Sequence, residues 1–473
     1  MTTGKLSGLA NARGLEEEDK ATVDELVRVY ESMLARNSEL DGYFDGDVAV
    51  QDYGVTVNPD LIRNDQVCHW PQKAVTALAE RVRFDGFALD GDASDPSLDK
   101  VMRDSNLASA YARYLPSCLT HGCMFATVGR YGDRTYVRLH DAETAAAIPD
   151  GEHESGTVGA GLAIARSERT AWSPNNPVPT VVNMYLPGSV TTFTAVAPSM
   201  WTAVKSPVPE RAPMMLAFAH KATGTRPLGQ SRITSAVKSL TRDAIRTMWR
   251  MEVSSAFYSM PQRYILGLTD EQYDAIVSAK TKVYIDSMFL ATQDVEGNHP
   301  TYGQLPANSP QPFIDQLRTL ASMFSGATGV PLNSLGIVQD NPSSAEAIAA
   351  AREDICIAAE DQIEADKGVL RKIALMAMAV EGNTTVEGLT DAQKSVMARF
   401  RDPAMPSIVS QADAMVKIAG VAPFVTESEV FWERIGFDEA TRRRIMAAKR
   451  EGDSVRMVDR AFSLPASTEE TDG

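Results

Sequence analysis

Between Ala345 and Val380 the chain contains no proline and a single glycine, Gly368. Such a run reads as one helix, roughly 50 Å from end to end at 1.5 Å per residue, which is unusually long for a globular domain. It opens on Ser343-Ser344-Ala345-Glu346, where Ser343 with Glu346 three positions on has the form of a capping box.

Two shorter helical patterns precede it. From Ser231, the residues Ile233, Val237, Leu240, Ala244, Ile245, Met248 and Met251 keep helical spacing until Pro261. Residues 262–308 then mix short strands (Tyr264-Ile265-Leu266) with a helix near 270–280 and a Gly/Pro-rich return. Residues 311–326 form the second helix on Phe313, Ile314, Leu317, Leu320, Met323 and Phe324, stopped by Gly326 to Gly329 before Pro331. A loop follows from Pro331 to Pro342.

The first half has a different texture. Residues 16–40 start with Glu16, Glu17, Glu18 and Asp19 and continue with Val23, Leu26, Val27, Tyr30, Met33 and Leu34, an amphipathic helix with acids at its start. Asn37 to Asp47 reads as a polar break. Helices are expected over about 68–82 and 105–122. Residues 123–205 alternate β-type runs with turns: Met124–Val128, Tyr136–Leu139, Val181–Tyr185 and Val190–Phe193. Residues 384–450 read as short helices and 463–473 as a disordered tail. The fold class is α+β, mainly α.

Charge limits the partners. The chain carries 62 acidic and 46 basic residues, a net of −16. Tight sequence-independent grip on nucleic acid needs many cations at phosphates, so the balance argues against a DNA-gripping protein. It does not exclude one that DNA slides past. The charge is uneven: residues 1–150 hold 25 acidic and 15 basic groups (−10), whereas 202–260 hold 9 basic and 3 acidic (+6). Four cysteines in 473 residues, no signal-peptide h-region at the N-terminus and no long apolar run predict a soluble product made in a cytosol, with no membrane contact.

Three features invite a chemical reading. Gly224-Thr225-Arg226-Pro227-Leu228-Gly229-Gln230-Ser231 nearly spells a phosphate-binding loop between an apolar run and a helix. Gln230 stands where the lysine belongs, and Pro227 lacks an amide, so a plain turn is the favoured account. Cys118, His121, Cys123 and His140 do not have zinc-finger spacing, and buried thiols explain them better. Lys238, Arg242, Arg246 and Arg250 recur every four residues as a basic stripe. It fits a solvated face, pairing with acids of a neighbouring subunit, or phosphates; four charges per subunit would brake moving DNA, which favours subunit pairing. No catalytic motif is found, and no cofactor or metal is expected.

The ordered series of elements resembles the portal proteins of long-tailed double-stranded DNA phages. Tyr43-Phe44-Asp45-Gly46-Asp47 resembles an aromatic–Asp–Gly segment after the first helix. Trp70 through Ala79-Glu80-Arg81 to Gly86-Phe87, Pro227 to Ser231, Pro261-Gln262-Arg263-Tyr264, and Thr328 to Pro331 followed by Asn341 to Glu346 match further family segments. The resemblance implies a wing at 1–229, stem helices at 230–260 and 310–330, and a clip at 261–309. It also implies a tunnel loop at 331–343, a long wing helix at 344–384, and a helical crown with a tail at 385–473. Asn333, Ser334, Leu335, Val338, Gln339, Asp340 and Asn341 would line the narrowest part of a DNA channel. The implied assembly is a ring of twelve copies at one capsid vertex, in contact with the major capsid protein, a terminase large subunit and a head-completion adaptor. Its implied role is structural rather than enzymatic, in the virion.

Overall fold

The computed structural model describes residues 6–48, 66–90, 95–151, 156–171, 173–259, 263–268, 271, 288–292, 301–304, 309–337, 352–404 and most of 408–449. Helix α1 (Lys20–Asp45) starts behind Glu17-Glu18-Asp19 and ends at Gly46, whose φ of 82° is the left-handed conformation that closes a helix. The polar break expected from Asn37 does not occur. Asn37 is buried and donates to the Ala142 carbonyl at 3.0 Å, while Leu40 and Tyr43 prolong the buried stripe of Val23, Leu26 and Tyr30. A polar residue with a tertiary partner does not end a helix.

Helix α2 (Trp70–Ala79) and strand β1 (Phe84–Ala88) come next, followed by α3 (Pro96–Ser105) and α4 (Leu107–His121). Strands β2 (Cys123–Tyr131) and β3 (Arg134–Asp141) form a hairpin. A five-stranded antiparallel meander is then built from β4 (Ala145–Pro149), β5 (Val158–Thr170), β6 (Ser173–Leu186), β7 (Ser189–Ala197) and β8 (Met200–Pro207). Strand β9 (Met215–Ala219) returns to pair with β2, giving a three-stranded sheet in the order β3-β2-β9. Cys123 to Val128 of that central strand are buried on both faces, which explains why the run reads as continuously apolar rather than alternating.

Two cores result. One face of the meander (Leu162, Val182, Met184, Phe193) packs with Leu6, Leu9 and the first half of α1. The larger core joins α2, α4, β2 and β9 to three later helices: α5 (Ser235–Ser259), α6 (Gln311–Thr328) and α7 (Glu353–Glu381). Phe125, Phe218 and Phe324 are fully buried in it, each stabilising the fold by about 1.5–3 kcal/mol. The 29 residues of α7 make a rod roughly 43 Å long. Ile355, Ala359, Ile363, Leu370, Ile373 and Ala377 bury one side of it along its length. The start expected for this helix, with its capping box, lies outside the described residues.

Between α5 and α6 the chain makes its own small sheet from β10 (Arg263–Leu268), β11 (Met288–Thr292) and β12 (Thr301–Gln304), in the order β11-β10-β12. The helix expected near 270–280 is outside the described part. After α7 the chain continues into short helical segments, as expected, first a 3-10 turn at Val386–Gly388, but an unexpected strand lies among them. A short helix at Asp391–Lys394 leads to β13 (Met397–Phe400), which pairs antiparallel with β1, Phe84 against Phe400 and Ala88 against Met397. Residues Met1–Pro403 form one compact unit, and residues 385–403 lie within it. The second unit, Ala404–Gly473, contains α8 (Ile408–Val421) and a 3-10 segment, Pro423–Glu427. The tail expected at 463–473 is outside the described residues.

Candidate functional site

Where α5 begins, three elements meet on one side chain. Arg232 is 7% exposed; its Nε donates to the Ala74 carbonyl of α2 and its Nη2 to the Thr328 carbonyl at the end of α6, both at 2.7 Å. Its backbone amide donates to the Leu119 carbonyl of α4 at 2.8 Å. Burial pulls the guanidinium down to about 10, so it stays charged at neutral pH. The Thr328 carbonyl is a natural partner, because the last carbonyls of a helix carry its negative pole. Arg232 thus fixes α5 to α6 at one end of the pair.

The basic stripe divides along α5. Lys238 pairs with Glu39 of α1 at 2.8 Å and lies 5.5 Å from the centre of the Tyr43 ring. Arg246 sits 3.6 Å from Asp243, one turn away on the same helix, and is half-buried. Arg242 and Arg250 are exposed. The stripe lies on one helix face, as the four-residue spacing requires, but its first member is engaged within the chain.

The loop expected at 331–343 starts as an anchored turn. Gly329, with φ 68°, closes α6, and Leu332–Leu335 form a 3-10 turn. Asn333 and Ser334 are exposed, but Leu335 is buried in the main core. Its isobutyl side chain gains more from that core than from water, so within the chain it anchors the start of the loop. Val338, Gln339, Asp340 and Asn341 lie outside the described residues. Beside the turn is a cleft of about 480 Å³ lined by Trp70, Lys73, Met248, Leu317, Leu335 and Ile337.

The near-miss phosphate loop has a different use for its glycine. Gly229 adopts φ 77° and packs against the backbones of Gly122 and His220. The amides of Thr223, Arg226, Gly229, Gln230 and Arg232 all donate to chain carbonyls, and Pro227 has none. A cradle needs amides directed at a ligand; here those of Arg226, Gly229 and Gln230 are spent within the chain. The cysteine–histidine group is likewise split. Cys118 and Cys123 are buried, and burial pushes the Cys123 thiol up to about 12. His140 contacts Thr127 at 3.1 Å. Among the described residues no cluster of three or more His, Cys, Asp or Glu could hold a metal ion.

Two polar arrangements escape sequence reasoning. Ser117, His121 and Asp41 stand in a row, His121 Nδ1 3.1 Å from the serine hydroxyl and Nε2 2.8 Å from Asp41. The histidine is buried and ties α1 to α4. Deeper in, Asp366 of α7 accepts from the Tyr111 hydroxyl and from Gln362 Nε2 (3.0 Å), and Gln362 Oε1 lies 2.6 Å from His220 Nδ1. The four residues come from three segments far apart in sequence; only the presence of polar groups on a buried helix face hinted at them.

Burial raises the Asp366 carboxyl to about 7 and lowers His220 to about 4 and His140 to about 3. Asp366 therefore contributes stability that is complete below about pH 4 and is lost as pH rises through 7. The histidines act in the opposite sense, since the unfolded chain takes up their protons first as pH falls. Substituting Asp366→Asn isolates the first effect. Urea unfolding at several pH values should show the stability difference shifting toward the variant between pH 4 and 7, by on the order of 1–3 kcal/mol. A difference independent of pH would mean that Asp366 is ionised throughout.

No family model matches the chain. It is 23% identical over 424 residues to the portal protein of Mycobacterium phage L5, covering 86% of this chain and 84% of that protein. It is 22% identical over 456 residues to the portal protein of Mycobacterium phage D29, covering 94% and 92%. The chain is similar over most of its length to phage portal proteins. The similarity runs through most of both partners rather than through one segment. Among solved structures, the chain aligns to one described as the neck of a native gene transfer agent particle. That alignment has 13% identity and a TM-score of 0.41, and covers 83% of this chain and 94% of that one.

Proposed function

We propose that twelve copies of this chain close into a ring whose central channel passes double-stranded DNA into and out of the capsid. The observation that carries the reading is the pair α5–α6: two helices locked at one end by Arg232, with the intervening chain forming a separate three-stranded sheet. In this reading α5 and α6 are the stem, residues 261–309 the clip, 331–343 the tunnel loop and 1–229 with α7 the wing. The second compact unit belongs to the crown. A terminase large subunit docks on the clip during packaging and a head-completion adaptor replaces it afterwards, while the major capsid protein surrounds the wing. The motor supplies the force; the ring supplies a passage, a docking surface and a valve, and has no catalysis of its own.

The net charge of −16 supports a passage that does not hold phosphates. Asn333 and Ser334 are small polar groups that touch DNA without gripping it. Gold-labelling a tagged chain in intact virions tests the reading: one labelled vertex per particle is expected, and label spread over the shell would overturn it.

A further inference from the structure

Helix α5 presents Arg242 and Arg250 to solvent, two turns apart, with Arg246 half-buried between them. Helix α7 presents the opposite charge. Over its first three turns Glu353, Asp354, Glu360, Asp361 and Glu364 are exposed, and Ile357, 51% exposed, lies among them. The base that follows, Lys367, is paired with Glu364 at 2.9 Å. Within the chain α5 packs on α6 and α2, whereas α7 packs on α2, α3 and the strands β2, β3, β9 and β13. Each charged face is thus left at the surface by its own packing.

A closed ring requires a head-to-tail contact, in which every subunit offers two different and complementary surfaces. We infer that the acidic face of α7 in one copy seats on the arginine face of α5 in the next, an inference that rests on the ring reading. Three features support this fit. The charges are opposite. They repeat on both helices at one-turn to two-turn intervals, so they can register along paired rods. Ile357 supplies an apolar centre inside a charged rim, the usual anatomy of a specific interface. Contacts of this kind set register and partner choice more than raw affinity, and they weaken as salt rises.

Charge exchange tests the contact. Arg242→Glu with Arg250→Glu, or Glu353→Arg with Asp361→Arg, should each raise the concentration needed for ring assembly about tenfold or more. Combining all four substitutions should bring it back to within about threefold of the native chain, because opposite charges face each other again. Circular dichroism and thermal melting of each variant confirm that the subunit still folds, as expected for exposed positions. Rings that form normally with the α5 pair reversed, or a four-fold variant no better than either pair alone, would overturn the inference while leaving the ring intact. A native chain that forms no ring would overturn the ring reading itself, and this contact with it.

Discussion

Gly229→Ala is expected to destabilise the chain by about 3–5 kcal/mol, although the residue lies in a surface turn. A methyl group built there falls 2.5 Å from the Gly122 carbonyl oxygen, 2.6 Å from that of His220 and 2.8 Å from the His220 nitrogen. These are backbone atoms and cannot swing away. Two hydrogen bonds run through the same point, His220 N to Gly122 O and Gln230 N to His220 O, both at 2.8 Å. The methyl would force them apart, and the left-handed φ of 77° adds a cost that only glycine escapes. Gln230→Ala is the control. Its side chain joins Arg226 at 2.9 Å and the Lys221 carbonyl at 3.3 Å, both at the surface, so a loss under about 1 kcal/mol is expected. Urea unfolding separates the two. Calorimetry with magnesium and ATP should show no binding to either variant or to the native chain, as befits a packing turn.

The second large effect is expected at Arg232. Replacing it by Met should cost about 2–4 kcal/mol, because the Ala74 and Thr328 carbonyls lose their donor inside the core. The loss is moderated because a buried charge is also removed. Lys should not rescue it: one ammonium on a flexible stem cannot reproduce a planar fork that reaches two helices at once. Chemical unfolding of the three proteins checks this order. Equal stability of the Lys variant and the native chain would show that charge, not fork geometry, holds the stem.

These two residues mark the border of what is readable in the sequence. Helical periodicity locates α5, α6 and α7, because each buries one face against the core and periodicity records burial. Strand β6 reads correctly for the same reason, and β2 because burial on both faces leaves a continuous apolar run. Contacts between distant segments leave no such trace. The β1–β13 pair joins residues about 310 positions apart through two short strands, and Gly86 gives the first of them little strand character. Asn37 reads as a break because its partner, the Ala142 carbonyl, cannot be foreseen. Leu335 reads as part of a loop because nothing local says that the core reaches it. The glycine at 229 was visible, but its purpose depends on Gly122, more than a hundred residues earlier. The basic stripe was legible as a face; that Lys238 turns to Glu39 was not.

Assembly into a ring is the property on which the proposed function depends. Light scattering of the purified protein, with negative-stain images of the same fraction, is the most direct test. Twelve copies of the 51.3 kDa chain predict particles of about 616 kDa with a central hole. A compact monomer or dimer without a hole, persisting at the highest concentrations reached, would contradict it.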